Sequence, residues 1–174
     1  MEESTLKHLL NIQIDMIRDK ELQDLVRLVI SKLPEAFWKR ESSLKYHPVD
    51  ERGINGNLSH TLKVTKLADK ILDTMEVTQR IKDLTKSRAI LHDSLRHGLN
   101  GDGRWSAKDH PYLVRKFIVT ECGINTPLVD ELCSGIETHM GKWGQPPFIP
   151  SIDLNTVLHL ADAIATQPDI EVKL

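Results

Sequence analysis

Cysteine is scarce: Cys122 and Cys133 are the two thiols of the chain. They form neither a disulfide framework nor the paired thiolates of a structural zinc site. A reducing cytoplasm is therefore the expected location. No apolar run approaches the roughly 18 residues of a membrane span. The first segment, MEESTLKHLLNIQIDMIRDK, is interrupted by charges and lacks the apolar core of a signal peptide. The formal net charge is −2, so there is no bulk basic field. That argues against long duplex nucleic acid as a partner, while leaving room for a local basic patch. Convincing strand alternation, internal repeats and low-complexity tracts are also missing. Self-association into a homo-oligomer is compatible with this composition.

Helical periodicity is what the chain has instead. Leu6, Leu9, Leu10, Ile14 and Ile17 mark a helix over 4–18, and Leu22, Leu25, Val26, Val29 and Leu33 another over 20–33, stopped by Pro34. PEAFWKRE reads as a short helical turn, and SSLKYHPVDERGINGN as a loop. Val64, Leu67, Ala68, Ile71, Leu72 and Met75 make one buried stripe over 58–75. Ile81, Leu84, Ile90, Leu91 and Leu95 face inward over 78–95, with Thr78 as cap. Further helices are expected over 110–121 from Pro111, over 126–140 from Thr126-Pro127, and over 152–166. The glycine-rich RHGLNGDGRWSAKD and the stiff GKWGQPPFIPS read as loops. The 174 residues fit one domain. The expected fold is all-α, a compact single-domain bundle of six to eight helices.

Histidine is abundant, with eight residues. His60 extends the Val64–Leu67–Ile71 stripe. His110 shares a face with Val114 and Phe117, and His139 with Leu132 and Ile136. Asp162 lies inside LHLADAIA, and AILHDSLRHG ends an apolar run in His92-Asp93. For any one of these histidines alone, a hydrogen-bonded core residue is the commoner reading. Convergence points elsewhere: separate helices each aim a ligand inward, and a buried aspartate is costly unless paired or bound to a cation. Imidazoles and carboxylates without thiolates suit one or two divalent ions among Mn, Fe, Co, Ni and Zn. Adjacent helical residues project about 100° apart, so His92 and Asp93 share a cation only if it lies close to the helix. Asp93 could also bridge a second cation, about 3.5–4 Å from the first.

The order His60, His92-Asp93, His110, His139, Asp162 resembles the HD-domain metal-dependent phosphohydrolase superfamily, over about residues 37–166. GNLSHTLKV resembles that family's Gly-x-Leu-x-His-Thr segment, and AILHDSLRHG its His-Asp segment. DHPYLV and IETHMGKWG resemble its third and fourth histidine segments, and VLHLADAIAT its terminal Ala-Asp segment. KYHP…GNLSHT is similar to a subgroup of exoribonuclease-type and small phage-encoded HD proteins. The resemblance implies a single all-helical domain over 1–174 in which His60, His92, Asp93 and Asp162 hold one metal. His110 and His139, with Asp93 bridging, would hold a second.

The implied activity is hydrolysis of nucleotides or short oligonucleotides, by attack of a metal-activated hydroxide on phosphorus. Asp93 and Arg96 are its expected catalytic residues. The family usually has Lys where this chain has Arg96, which keeps the charge and can fork onto phosphate but is a poor proton donor. Substrate contacts are expected from Arg96 and, less simply, from Lys63, Lys142 and Arg104, each of which also reads as a solvated charge. His47 divides between a cleft position and a loop surface. His97 reads as a polar helix-end residue and His8 and His159 as structural. Trp105 and Trp143 either stack a nucleobase or cover the core. Two other classes share the ligand set: a di-iron oxygenase, and a non-catalytic nucleotide-binding module.

Overall fold

A computed structural model describes residues 1–144, 147 and 154–174, and each expected periodicity takes form there as a helix. The described residues hold eight α-helices, two short 3-10 turns and no strand. The order is α1 (Glu3–Asp15), α2 (Lys20–Lys32), α3 (Glu35–Lys39), a 3-10 turn at Val49–Glu51, α4 (Gly56–Asp73) and α5 (Gln79–Leu91). Then follow α6 (His110–Glu121), α7 (Pro127–Glu137), a 3-10 turn at Gly141–Trp143 and α8 (Leu154–Ala165). None is long and apolar enough to cross a membrane.

Leu6, Leu10 and Ile14 on α1 and Leu22, Leu25, Val26, Val29 and Ile30 on α2 are buried, as their spacing requires. Each such side chain contributes about 1.5–3 kcal/mol by leaving water. Asp19 caps α2 by accepting from Leu22 N–H, and Thr78 caps α5 by accepting from Ile81 N–H. Thr126 sits at the N-cap of α7 but its hydroxyl makes no capping bond.

Helix α5 runs through the middle. From Asp83 to Leu91 every residue is buried, including three charged ones. Each charge is paired: Asp83 accepts from Asp19 N–H, Lys86 meets Asp69, and Arg88 donates to the Glu131 and Leu132 carbonyls. Two apolar clusters meet along α5. Ile90 and Leu91 belong to the larger, built mainly from α1, α2, α6 and α7; Ala89 belongs to the smaller, built from α4 and α8. The polypeptide leaving α5 therefore emerges at the seam between them.

Several boundaries differ from expectation: helix α1 ends at Asp15, not at 18. Helix α5 ends at Leu91, not near 95, and residues 92–97 form successive tight turns, with Ser94 N–H on Leu91 O and Arg96 N–H on Asp93 O. Helix α7 ends at Glu137, so His139 lies in the turn beyond it. Met75 lies past the end of α4 and is exposed. The expected start of the last helix at 152 and most of the loop before it lie outside the described residues.

Candidate metal centre

His92 and His139 each occupy the first turn after a helix. Carbonyls there lack helical partners, and both rings use them: Nδ1 donates to the carbonyl three residues back, Ala89 at 2.8 Å for His92 and Ile136 at 2.7 Å for His139. His110 opens α6 and repeats the device, with Nδ1 on the Ala107 carbonyl at 2.7 Å. His60, in the first half of α4, gives its Nδ1 to the Glu51 carboxylate at 3.1 Å. All four rings thus spend Nδ1 outward and turn Nε2 inward. The Nε2 atoms of His92, His110 and His139 are buried without a hydrogen-bond partner.

Two carboxylates fill the space that these atoms face. Asp162 of α8 places Oδ1 3.0 Å from His60 Nε2 and 3.9 Å from His92 Nε2. Asp93 stands between two groups of imidazoles. Its Oδ2 lies 3.8 Å from His92 Nε2 and 4.0 Å from His60 Nε2. Its Oδ1 lies 2.9 Å from His110 Nε2 and 3.6 Å from His139 Nε2. The 2.9 Å approach of His110 lacks hydrogen-bond geometry, so it is a close contact rather than a bond. Ligand atoms bound at about 2.0–2.2 Å to one cation stand roughly 3–4 Å apart, which is the spacing here. Buried groups of His, Asp and Glu could hold a metal ion, among them His60 with His92 and Asp162, and His92 with Asp93 and His139.

The electrostatics follow from this crowding. Burial disfavours charge on His60, but bonds to Asp162 and Glu51 push its imidazole up to about 9. Burial dominates at His92 and pushes it down to about 4. Asp93 would be raised by burial, yet the Arg96 guanidinium and His92 hold it well below the usual carboxylate range. Asp162 is likewise held low against its burial by the His60 bond. Burial opposes charge on His139, and Asp93 raises it.

All six expected metal-type ligands meet at this one place. Arg96 is there too, but it is committed: Nη1 reaches Asp93 and donates to Ser42 Oγ at 2.9 Å, and Nε donates to Ser106 Oγ at 2.7 Å. Lys63 is not a solvated charge. Its side chain is 9% exposed and its Nζ lies 2.8 Å from Glu51 and 2.7 Å from Asp50. His47 is buried, not on a loop surface, and its ring packs on His60 with centroids 4.3 Å apart.

Trp105 and Trp143, two of the three tryptophans, do not cover the core. Trp105 is 66% and Trp143 63% exposed, with Arg104 and Lys142 lying over their respective rings. His97 is buried, with Nε2 3.1 Å from the Glu41 carbonyl and Nδ1 3.3 Å from the Gly103 carbonyl. His159 is structural as expected, with Nδ1 on the His139 carbonyl at 2.7 Å. His8 is exposed on α1, without the structural role expected of it.

Sequence reasoning missed Glu51. It lies in a loop with no periodicity, where a carboxylate reads as solvated, yet it is fully buried behind His60. The nearby histidine His47 was the only available signal. No family model matches the chain, and no curated protein or solved structure matches it either.

Proposed function

We propose that the protein is a metal-dependent phosphohydrolase of the HD-domain type, acting on nucleotides or short oligonucleotides. One observation carries this reading: four Nε2 atoms converge on Asp93 and Asp162 while every Nδ1 is engaged elsewhere. A purely structural histidine cluster has no need to turn three buried nitrogens, none of them hydrogen-bonded, onto two shared carboxylates. His60, His92, Asp93 and Asp162 would hold one cation. His110 and His139 would hold a second, with the two oxygens of Asp93 dividing between the sites. The donor set suits Mn, Fe, Co, Ni or Zn. Bound there, such ions supply Lewis acidity and a nucleophile at neutral pH.

The chain's own residues neutralise and orient. Arg96 keeps Asp93 ionised and sets a permanent positive charge beside the reacting phosphoryl group. A guanidinium does not release its proton at neutral pH, so Arg96 stabilises charge and leaves proton donation to another group. A depression of about 110 Å³ whose lining includes Ser42, Lys45, Arg104, Trp105 and Ser106 adjoins Arg96 through Ser42 and Ser106. We assign the base or sugar of the substrate to it, with the exposed Trp105 ring as a stacking face. Lys142 and Trp143, on the turn after His139, offer a second cation–aromatic pair. Lys63 and His47 act behind the ligands rather than on substrate.

The test is a screen of metal-reconstituted protein against nucleoside mono- and triphosphates, cyclic nucleotides and short RNA and DNA. Chelator-sensitive release of phosphate, pyrophosphate or nucleotide is expected, and Asp93→Ala abolishes it. Activity that survives both chelation and Asp93→Ala overturns the reading. Oxygen consumption by the iron-loaded protein, without hydrolysis, would assign an oxygenase. Binding without turnover across the panel would assign a nucleotide-binding module.

A further inference from the structure

Glu51 is fully buried, and no element of regular helix longer than a 3-10 turn holds it there. Its backbone is pinned instead. Ser42 N–H donates to the Glu51 carbonyl at 2.9 Å, and Gly56 packs so closely that a Cβ there would stand 1.9 Å from that oxygen. The carboxylate is aimed as firmly. Oε2 accepts from His60 Nδ1 at 3.1 Å and from His47 Nδ1 at 2.8 Å, and Lys63 Nζ sits 2.8 Å from Oε1.

His47, Glu51 and His60 could by proximity alone form another cation site. The contacts argue against it. Both imidazoles face Glu51 through Nδ1 atoms that give their protons to the carboxylate, and the Lys63 ammonium is ion-paired with its other oxygen at 2.8 Å, without hydrogen-bond geometry. A further cation would meet that ammonium at close range in a medium of low dielectric.

The arrangement fits a different task. Three of the inward histidines are oriented by neutral backbone carbonyls, and His60 is oriented by an anion. We propose that Glu51 is a positioning residue for His60: its carboxylate holds the Nδ1 proton, fixes the ring so that Nε2 faces Asp162 and Asp93, and strengthens Nε2 as a donor to a cation. Lys63 pairs with Glu51 through Oε1 and helps keep it ionised, and His47 takes the second lone pair of Oε2. This rests on reading the centre as a divalent-cation site. Loss of such a carboxylate behind a metal-binding imidazole typically costs 10–100-fold in metal affinity.

The experiment titrates the metal-free full chain with Zn²⁺ against a chromophoric chelator, for wild type, Glu51→Gln and Glu51→Asp. Thermal melts of the metal-free proteins run alongside. The expected result is a Zn²⁺ dissociation constant raised about 10–100-fold in Glu51→Gln, with helicity retained, and a smaller rise in Glu51→Asp. A purely structural Glu51 would lower the melting temperature and leave Zn²⁺ affinity of the folded protein unchanged; that outcome overturns the proposal while the site reading stands. Wild-type protein that binds no divalent cation overturns both. If Glu51→Gln does not fold, histidine ¹⁵N spectra of Zn²⁺-loaded wild type decide. A hydrogen-bonded Nδ1 proton on His60 supports the proposal, and its absence overturns it.

Discussion

His60 Nε2 lies 3.0 Å from Asp162 Oδ1, although 102 positions of chain separate them. The pairing exists because α4 and α8 pack more extensively on each other than any other two helices. It also defines the metal-free protein. There both ring nitrogens of His60 face carboxylates, Nδ1 at Glu51 and Nε2 at Asp162, an arrangement that favours the imidazolium. A cation at Nε2 would take the place of the second proton, so metal binding would be coupled to proton release.

The metal-free protein should be most stable near pH 6.5, with losses on both sides. His60 has its pKa raised from 6.5 to about 9, so its contribution is complete below 6.5 and disappears as pH rises through 9. His92 has its pKa lowered from 6.5 to about 4, so it costs nothing above 6.5 and destabilises increasingly as pH falls towards 4. Urea midpoints of chelated protein across pH 4–10 measure this. A midpoint that climbs steadily to pH 9 contradicts the assignment of His60.

On the proposed function, Asp93→Ala should bind fewer divalent ions and lose turnover by at least about 10²-fold, since it removes a carboxylate that faces both groups of imidazoles. Metal content by elemental analysis and rates on the identified substrate check it together. The variant leaves Arg96 without its carboxylate, so the melt of the metal-free form is recorded as well.

Arg96→Lys keeps the charge but cannot reach Asp93, Ser42 and Ser106 at once. Turnover should fall on the order of 10–100-fold. Because a guanidinium does not titrate near neutrality, any alkaline limb that the proposed hydrolysis shows in wild type should persist in Arg96→Met, at lower amplitude. Disappearance of that limb would give Arg96 the acid role denied to it here.

Gly56→Ala puts a methyl group where the Glu51 carbonyl stands, 1.9 Å away. Backbone cannot rotate aside as a side chain can. The expected loss is about 1–3 kcal/mol of stability, with weaker Zn²⁺ binding because the Glu51 turn is displaced. Denaturant titration and chelator competition test the two parts separately.

Burial pushes the Cys133 thiol up to about 12, and Cys122 is only half-buried. Native protein at pH 8 should therefore expose no more than one thiol to an aromatic disulfide reagent, and unfolded protein two. Rapid labelling of Cys133 in the native state would mean that α7 opens far more readily than its packing implies.

The two ends of AILHDSLRHG divide what was legible from what was not. Apolar spacing of 3.6 residues reports which face of a helix is inward, and that local rule sufficed for the all-α class. It also placed His60 and His110 on buried faces, and Asp162 on the face that meets His60. The end of α5 at Leu91 was not legible, because Leu95 continues the apolar pattern while the backbone has already turned. Whether Arg96 points to solvent or onto Asp93 was equally hidden.

Sequence by itself determined the helices, their inward faces and the types of donor available, because side-chain direction along a helix follows from chain geometry alone. Tertiary structure decided which oxygen of Asp93 meets which imidazole, that Lys63 is paired, and that Glu51 lies buried behind His60. Those relationships join residues on different elements through loops without periodicity. Only the packing of α4, α5 and α8 around a shared seam fixes their distances.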